Sequence, residues 1–545
     1  MAWRIQLCFI SLFFLASIFH HLCRHLRILD DAYLEDVGIR LPLPRLTTFK
    51  TQSSNLAIQE PAGDQIAGNL TTQSILFHDW EVFLLLPAAP QTAAATPYSC
   101  IFQGGATSPA TPVGVLASGG RPTFKCIMPN SVRRLRPFLT PTLAGSPEND
   151  TSLATMLRWN FYVYESFSTE KDVVVFAKGI NKHPGVNVPA ASLRCVFANG
   201  VKTDVTSSSQ EVFRCPHPPR RIPPLTRVSL EIGYGSDKTR AVPSLAIYDP
   251  KRRTLAPAQG KALLCACTVV YDVAKFVREW VIYHASIGVE KFVFYDNGSD
   301  DDFYKEVGRL VELGHDVATF YWPWPKTQEA GFSHCAMAFR DSCTWMLFAD
   351  VDEFVFSPRW KNSSQPSKHM LQSLLPKSTA MIGQMTMKCY DFGPSNRRSH
   401  PIEGVTQGYT CRVRDHQRHK SIVLLDGVDR SLENAVHHFK MKDGYKVRKL
   451  TLHEGLVNHY KYQVWAEFKN KFKRRVSAYV YDWRNSLNPA SKDRTPGLGN
   501  EPIEPQGWAS RFCEVNDTGL RDLGRSWFGL ESSTQEGGRF AWQNE

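Results

Sequence analysis

The chain has 545 residues, 43% of them hydrophobic and 21% charged, a globular balance that excludes both a disordered tail protein and a multi-span membrane protein. A chain this long is expected to form about three domains. Lys and Arg number 64 against 52 Asp and Glu, a net charge of +12, but the positive charge is spread along the chain and accompanies no nucleic-acid-binding motif, so no nucleic-acid partner is expected.

Residues 5–19 (IQLCFISLFFLASIF) are almost wholly apolar, follow Arg4 and precede His20, His21, Arg24, His25 and Arg27. The run is shorter than the roughly 17–25 residues of a full span and has the length of a signal peptide's apolar region. No Ala-x-Ala-like site follows it, and residues 20–22 can extend the helix toward the thin membranes of the early secretory pathway. A cytosolic tail and uncleaved type II signal anchor over residues 1–25 is therefore the expectation, with the rest of the chain lumenal. A stem is expected over 26–96, because residues 47–72 are rich in Thr, Ser, Gln, Ala and Gly and lack a sustained period. Sequons at Asn69, Asn149, Asn362 and Asn516 agree with a lumenal address. Eleven cysteines follow Cys23, an odd number, so at least one has no partner within the chain. None has zinc spacing, so disulfides are expected rather than a metal cluster.

A β-rich domain is expected over 97–255. Short strand-like runs such as 172–176 and 193–197, and the alternation of Val228, Leu230 and Ile232 with Ser229 and Glu231, are separated by Gly, Pro and Asn, as in a β-sandwich or small barrel. Cys195 and Cys215 bracket two such runs and are the expected disulfide.

From 256 to 500 the pattern becomes α/β. Residues 263–270 (LLCACTVV) read as a buried strand, with Asp272 placed to cap the helix that follows. In that helix Val273, Phe276, Val277, Trp280, Val281, His284 and Ile287 recur at helical spacing, and Gly288 stops it. Strands at 291–295, 317–321 and 345–349 then alternate with helices ending at Gly314 and spanning 328–342. Such alternation implies a mostly parallel sheet with its ligand site at the carboxyl ends of the strands. Residues 501–545 read as a C-terminal tail.

Asp296-Asn297 and Asp350-Val351-Asp352-Glu353 both fall at strand carboxyl ends. A lone Asp-x-Asp is common, and Asp300 with Asp302 supplies another. Asp350 and Asp352 stand out because an apolar strand runs directly into them. Two such carboxylates can face one cation, and hard oxygen ligands suit Mn²⁺ or Mg²⁺ holding a diphosphate.

The blocks YDVAKFVREWVIYHASIGVEKFVFYDNGSDDD, WPWPKTQEAGFSHCAMAFRDSCTWMLFADVDEF, HKSIV and NHYKYQVWAEFKNK, in that order over roughly residues 260–485, resemble plant glycosyltransferase family 92. QEAGFSHC is more similar to a different plant subgroup than to the pectic β-1,4-galactan synthases. The resemblance implies a GT-A type nucleotide-sugar-binding domain, a UDP-sugar donor, a glycan acceptor, a divalent cation such as Mn²⁺, and inverting transfer in the Golgi. It places the β-rich region where galactan synthases carry a carbohydrate-binding module. Carried over by position, Asp352 would ligate the metal. Asp350 would touch the ribose or a metal-bound water, and Asp296 the nucleoside. His459 would complete the metal or diphosphate site, with His437 or His438 as alternatives. Lys469 and Lys471 would neutralise the departing diphosphate.

An inverting transfer needs one carboxylate to take the acceptor's proton. Asp391, after an apolar strand, is the first candidate, with Glu403, Asp415 and Glu433 open. The expected partners are thus a UDP-sugar, UDP-galactose first, a cell-wall glycan, the membrane, and a second copy of the chain as a further candidate. A non-catalytic glycan-binding protein would need neither the paired aspartates nor the late histidine. A glycosidase would need two carboxylates flanking the bond and no nucleotide.

Overall fold

A computed structural model describes residues 71–471 and 504–543, apart from 78–79, 88–97, 145–153, 182–185, 220–221, 224, 235–237, 251–259, 377–380 and 531–538. The expected anchor, most of the stem, and the sequons at Asn69 and Asn149 lie outside the described residues. Among the described residues no helix is long and apolar enough to cross a membrane.

Strands begin earlier than the sequence reading places them. Gln73–Leu76 and Glu81–Leu85 pair antiparallel, and the second pairs with Arg121–Ile127 in a seven-stranded sheet. The end of the expected stem is therefore sheet. The apolar run at 82–86 is buried throughout, which a solvated stem could not offer it.

Two further sheets form the expected sandwich. One holds Tyr162–Ser168, Asp172–Lys178, Ser207–Ser209 and Val212–Pro216; the other holds Leu193–Phe197, Lys202–Asp204, Thr226–Tyr234, Lys238–Ala241 and Ile247–Tyr248. Cys195 and Cys215 form the expected disulfide, and Cys100 pairs with Cys126. Val173, Val175 and Ala177 face the sandwich core, whereas Val174 and Phe176, pointing the other way, pack in a second core that includes Trp322, Trp324 and Phe332. The continuous run at 173–177 is thus a strand buried on both faces. Its outer face packs on the α/β domain. The β-rich region and the α/β domain share one apolar core, so they are not separable modules.

The α/β domain contributes nine strands to one sheet: β1 (Ala262–Val270), β2 (Lys291–Asp296), β3 (Asp316–Tyr321), β4 (Cys343–Phe348), β5 (Glu353–Phe356), β6 (Ile382–Asp391), β7 (His419–Leu424), β8 (Lys446–Lys449) and β9 (Leu456–His459). Helices α1 (Ala274–Ile287), α2 (Phe303–Glu312) and α3 (Gln328–Ala338) supply the crossovers between β1, β2, β3 and β4. The order is β3-β2-β1-β4-β7-β6-β9-β5, with β8 also on β6. The first four strands are parallel, as expected. Beyond β4 the sheet is mixed: β7 runs antiparallel to β4 and β6, and β5 antiparallel to β9.

Helix α1 starts differently from the expectation. Asp301 Oδ2, not Asp272, accepts the Ala274 N–H at 2.8 Å, while Asp272 accepts from the Asp300 N–H. Gly288 ends α1 at φ +124°, where a Cβ would lie 2.1 Å from the Lys368 carbonyl, so a side chain is barred twice over. Cys265 and Cys267 of β1 pair with Cys343 and Cys335, and Cys411 with Cys513; Cys389 is free and buried. The segment read as a tail belongs to the domain. Leu520, Leu523 and Phe528 of the helix Gly519–Phe528, and Trp542, lie in its core.

Candidate active site

Strand β4 ends at Phe348, and after Ala349 the chain turns through Asp350, Val351 and Asp352 into β5. The turn closes on itself: the Glu353 N–H donates to the Asp350 carbonyl at 3.0 Å, and the Asp350 N–H to Glu353 Oε2 at 2.8 Å. Antiparallel pairing of β5 with β9 sets Glu353 opposite His459, and parallel pairing of β9 with β6 sets His459 beside Asp391. Three residues distant in sequence therefore stand in one row across three strands.

His459 joins the two ends of that row. Its Nδ1 lies 2.9 Å from Asp391 Oδ1, and its Nε2 lies 3.6 Å from both Asp352 Oδ2 and Glu353 Oε1. Lys461 Nζ donates to Asp391 Oδ2 at 2.9 Å. Lys471, on the helix 465–471, donates to Asp352 Oδ2 at 2.5 Å. On the other side of the turn, Lys420 of β7 pairs with Glu353 Oε1 at 2.6 Å and with Asp350 Oδ2 at 3.5 Å, and contacts His437 Nε2. Gln328, the first residue of α3, donates to Asp350 Oδ1 at 3.1 Å.

Burial and charge oppose one another here. Burial pushes the Asp352 carboxyl up, but the charges of Lys471 and His459 outweigh it and hold the group below its ordinary value. Asp391 is buried too, and its hydrogen bond with His459 and the Lys461 charge bring it far below the usual range. Burial raises Glu353 despite Lys420. Burial favours a neutral Lys420, yet Glu353 and Asp350 overcome it and keep the ammonium charged. His437 is held neutral by burial and by Lys420.

Of the sequence-predicted residues, the structure gathers Asp350, Asp352, His459 and Lys471, and both alternatives for the histidine are nearby. His437 approaches Asp350 at 3.8 Å, while His438 turns away to stack on His419. Lys469 is not among the partners found for these carboxylates. Asp296 is fully buried: Ser299 donates to Oδ1 from N–H and hydroxyl, and Tyr304 donates to Oδ2 at 2.9 Å. Both oxygens thus hold the turn after β2. Asp391 lies beside His459 in the row. It is 2% exposed with both oxygens taken, which suits orienting His459 and not receiving a proton from an incoming hydroxyl. Glu403 pairs loosely with Arg397, Glu433 is half-buried, and Asp415 is exposed on a loop tied to β6 through the Val413 N–H to Asp391 carbonyl and Gln417 N–H to Cys389 carbonyl bonds.

Sequence reasoning missed Glu353, Lys420, Gln328 and Lys461. The signal for Lys420 was a lone lysine opening an apolar strand, SIVLL; for Glu353 it was a carboxylate inside the apolar FADVDEFVF. The donors present fit a hard divalent cation. Atoms of Asp350, Glu353 and His437 lie within 4.8 Å of one another, and Asp352 and His459 add an oxygen and an imidazole nitrogen beside them.

The sequence profile of glycosyltransferase family 92 matches residues 261–493, a span that holds the whole cluster. A family 92 protein of Arabidopsis thaliana is 42% identical over 401 residues, covering 71% of this chain and 69% of its own length. One from Ricinus communis is 42% identical over 389 residues, covering 68% and 67%. The chain belongs to glycosyltransferase family 92. Within the family, likeness to the galactan beta-1,4-galactosyltransferase GALS2 of Arabidopsis thaliana is distant: 30% identity over 135 residues, covering 21% of this chain and 24% of that one. The separation from galactan synthases read in QEAGFSHC therefore stands. A Pyrobaculum calidifontis mannosyltransferase solved with GDP-Man and Mn²⁺ shares 11% identity at a TM-score of 0.24, covering 43% of this chain and 68% of that one, too low to add to the assignment.

Proposed function

We propose that this family 92 glycosyltransferase is a metal-dependent inverting enzyme that moves galactose from UDP-galactose onto a β-linked, galactose-containing wall polysaccharide. It does so in the Golgi lumen, anchored by residues 1–25. The observation that carries the reading is the row Glu353–His459–Asp391 set against Asp350 and Asp352 at the carboxyl end of β4, where a GT-A arrangement receives its nucleotide. The choice of galactose rests on the distant likeness to galactan galactosyltransferases.

Asp350, Asp352 and His459 would hold the cation, which when bound offsets the charge that develops on the leaving diphosphate. Asp391 and Lys461 fix the ring of His459, so that Nε2 faces Asp352. Lys420 keeps Asp350 and Glu353 in place against their mutual repulsion. The acceptor hydroxyl attacks the anomeric carbon from the side opposite UDP, and its proton passes to a carboxylate. With Asp391 committed, Asp415 is the exposed carboxylate beside the end of β6 and takes the base role in this reading. The test is to incubate the lumenal fragment with a panel of UDP-sugars, with and without Mn²⁺, and to measure UDP release. Turnover of another sugar defeats the galactose assignment, and turnover indifferent to chelator defeats the metal.

A further inference from the structure

The two lysines among the carboxylates are held very differently. Lys420 projects from β7, between β4 and β6, with its side chain 8% exposed and charged or imidazole partners in Glu353, Asp350 and His437. It is built in. Lys471 has a side chain 37% exposed and, among the described residues, pairs with one carboxylate oxygen, Asp352 Oδ2, with the ring of Phe276 5.8 Å away. That oxygen is also the one 3.6 Å from His459 Nε2.

An oxygen in contact with an ammonium group at hydrogen-bond distance cannot also give that lone pair to a metal ion. A buried carboxylate such as Asp352 nevertheless needs a counter-charge at all times, since leaving it unpaired is strongly destabilising. A lysine suits a temporary post: its compact charge rides on a flexible, strongly hydrated stem, and a half-exposed ion pair is cheap to break.

The local charge count agrees. Four carboxylates, Asp350, Asp352, Glu353 and Asp391, face the three ammonium groups of Lys420, Lys461 and Lys471, so the carboxylates are one in excess. Exchanging Lys471 for a divalent cation cancels the excess and frees one ammonium group at the moment an anionic diphosphate arrives.

We propose that Lys471 is an exchangeable stand-in for the metal: it holds Asp352 Oδ2 until a divalent cation binds between Asp352 and His459, then swings to the donor's diphosphate. This rests on the metal-dependent reading above.

The experiment is a titration of the lumenal protein with Mn²⁺ and no nucleotide, following free Mn²⁺ by electron paramagnetic resonance, on wild type, Lys471→Met, Lys471→Arg and Asp352→Asn. Removing the competing ammonium should tighten Mn²⁺ binding about two- to five-fold in Lys471→Met, on the scale of a half-exposed ion pair. Lys471→Arg, still cationic, should not tighten it, and UDP binding in the presence of Mn²⁺ should weaken in Lys471→Met. Equal or weaker Mn²⁺ binding by Lys471→Met overturns the exchange while leaving the metal site standing. Absence of Mn²⁺ binding in every protein, or binding by Asp352→Asn equal to wild type, overturns the metal reading itself. Should Lys471→Met fail to fold, Lys471→Gln keeps a polar head and carries the same expectation.

Discussion

Gln210 and Asn434 exchange two hydrogen bonds across the junction of the sandwich and the catalytic domain: Gln210 Nε2 donates to the Asn434 carbonyl at 2.6 Å, and the Asn434 N–H donates to Gln210 Oε1 at 3.0 Å. Asn434 opens the small hairpin of Asn434–Ala435 and His438–Phe439, and His437 sits in its turn. From the other side Asn434 Nδ2 donates to the Glu329 carbonyl and to Ser333 of α3. The sandwich thus helps to position a side chain that approaches Asp350. Replacing Gln210 with Ala leaves the buried Asn434 N–H without its partner, at a cost of about 1–3 kcal/mol. We expect kcat to fall several-fold on short and long acceptors alike, with KM unchanged. A loss seen only as a raised KM for long acceptors would instead make the β-rich region a binding module. Deleting 97–248 is the blunter form of this test, and through the shared core it should abolish folding.

A neighbouring contact gives a pH dependence. Asp172 of the sandwich accepts from Arg214 Nε and Nη2 at 2.8 and 2.9 Å, Arg214 donates to the Arg430 carbonyl, and the Arg430 guanidinium lies 3.8 Å from Asp172. Burial pushes the Asp172 carboxyl up, but the Arg214 hydrogen bonds and charge outweigh it and leave the group below its ordinary value. A carboxyl depressed in the fold contributes stability that is complete above its unfolded value of about 3.9 and is lost as pH falls through the folded value. Asp172→Asn should therefore cost about 2 kcal/mol at pH 7. The gap to wild type should begin to narrow near pH 4 and close as pH falls through the lower folded value; urea unfolding at pH 7 and along an acid series measures it, and a gap that does not narrow in acid removes the charge from the account.

Much of this was legible in the sequence where periodicity is strong. The run from β1 to β4 follows from two clear repeats, the helical spacing from Val273 to Ile287 and the apolar strands between. Asp350 and Asp352 stand out because 345–349 runs straight into them. Past β5 the strands pair with neighbours distant in sequence, so nothing local reveals that Glu353, His459 and Asp391 share a row. That is why Asp391 could be picked out but its neighbours could not: a carboxylate at a strand end is visible, its partners in register are not. The core shared by the β-rich region and the α/β domain was hidden for a similar reason. Val174 and Phe176 look like any buried strand residues, and only the fold shows that their face belongs to another domain.

The role of Asp391 can be separated from that of a general base. Asp391→Asn keeps the shape but loses the charge that holds Lys461 and fixes His459. Losing such an outer partner typically lowers metal affinity or activity about 10–100-fold. Mn²⁺ binding should weaken together with kcat, and turnover should persist at a reduced level. If transfer vanishes with Mn²⁺ binding untouched, Asp391 is the base after all, and Asp415→Asn, expected here to abolish transfer, would be nearly silent.

The lumenal placement can be tested from the disulfides and the surface. Cys265 and Cys267, two apart on β1, point to the same face of the sheet and reach the start of β4 and helix α3. They close loops with separations of 78 and 68 residues, each worth about 4 kcal/mol in the chain-entropy account. Such staples form in an oxidising compartment and not in the cytosol. Asn362 and Asn516 are both exposed, so their sequons are open to glycosylation. Expressed in plant cells, the protein should carry glycans at Asn362 and Asn516, pellet with membranes, resist carbonate extraction and keep its N-terminus, and its melting temperature should drop under reductant. A soluble product starting near residue 25 would replace the anchor with a cleaved signal, as that is the length a signal peptide removes. A protein free of glycans and indifferent to reductant would place it outside the secretory pathway, and with that the Golgi assignment and the wall polysaccharide acceptor would both fall.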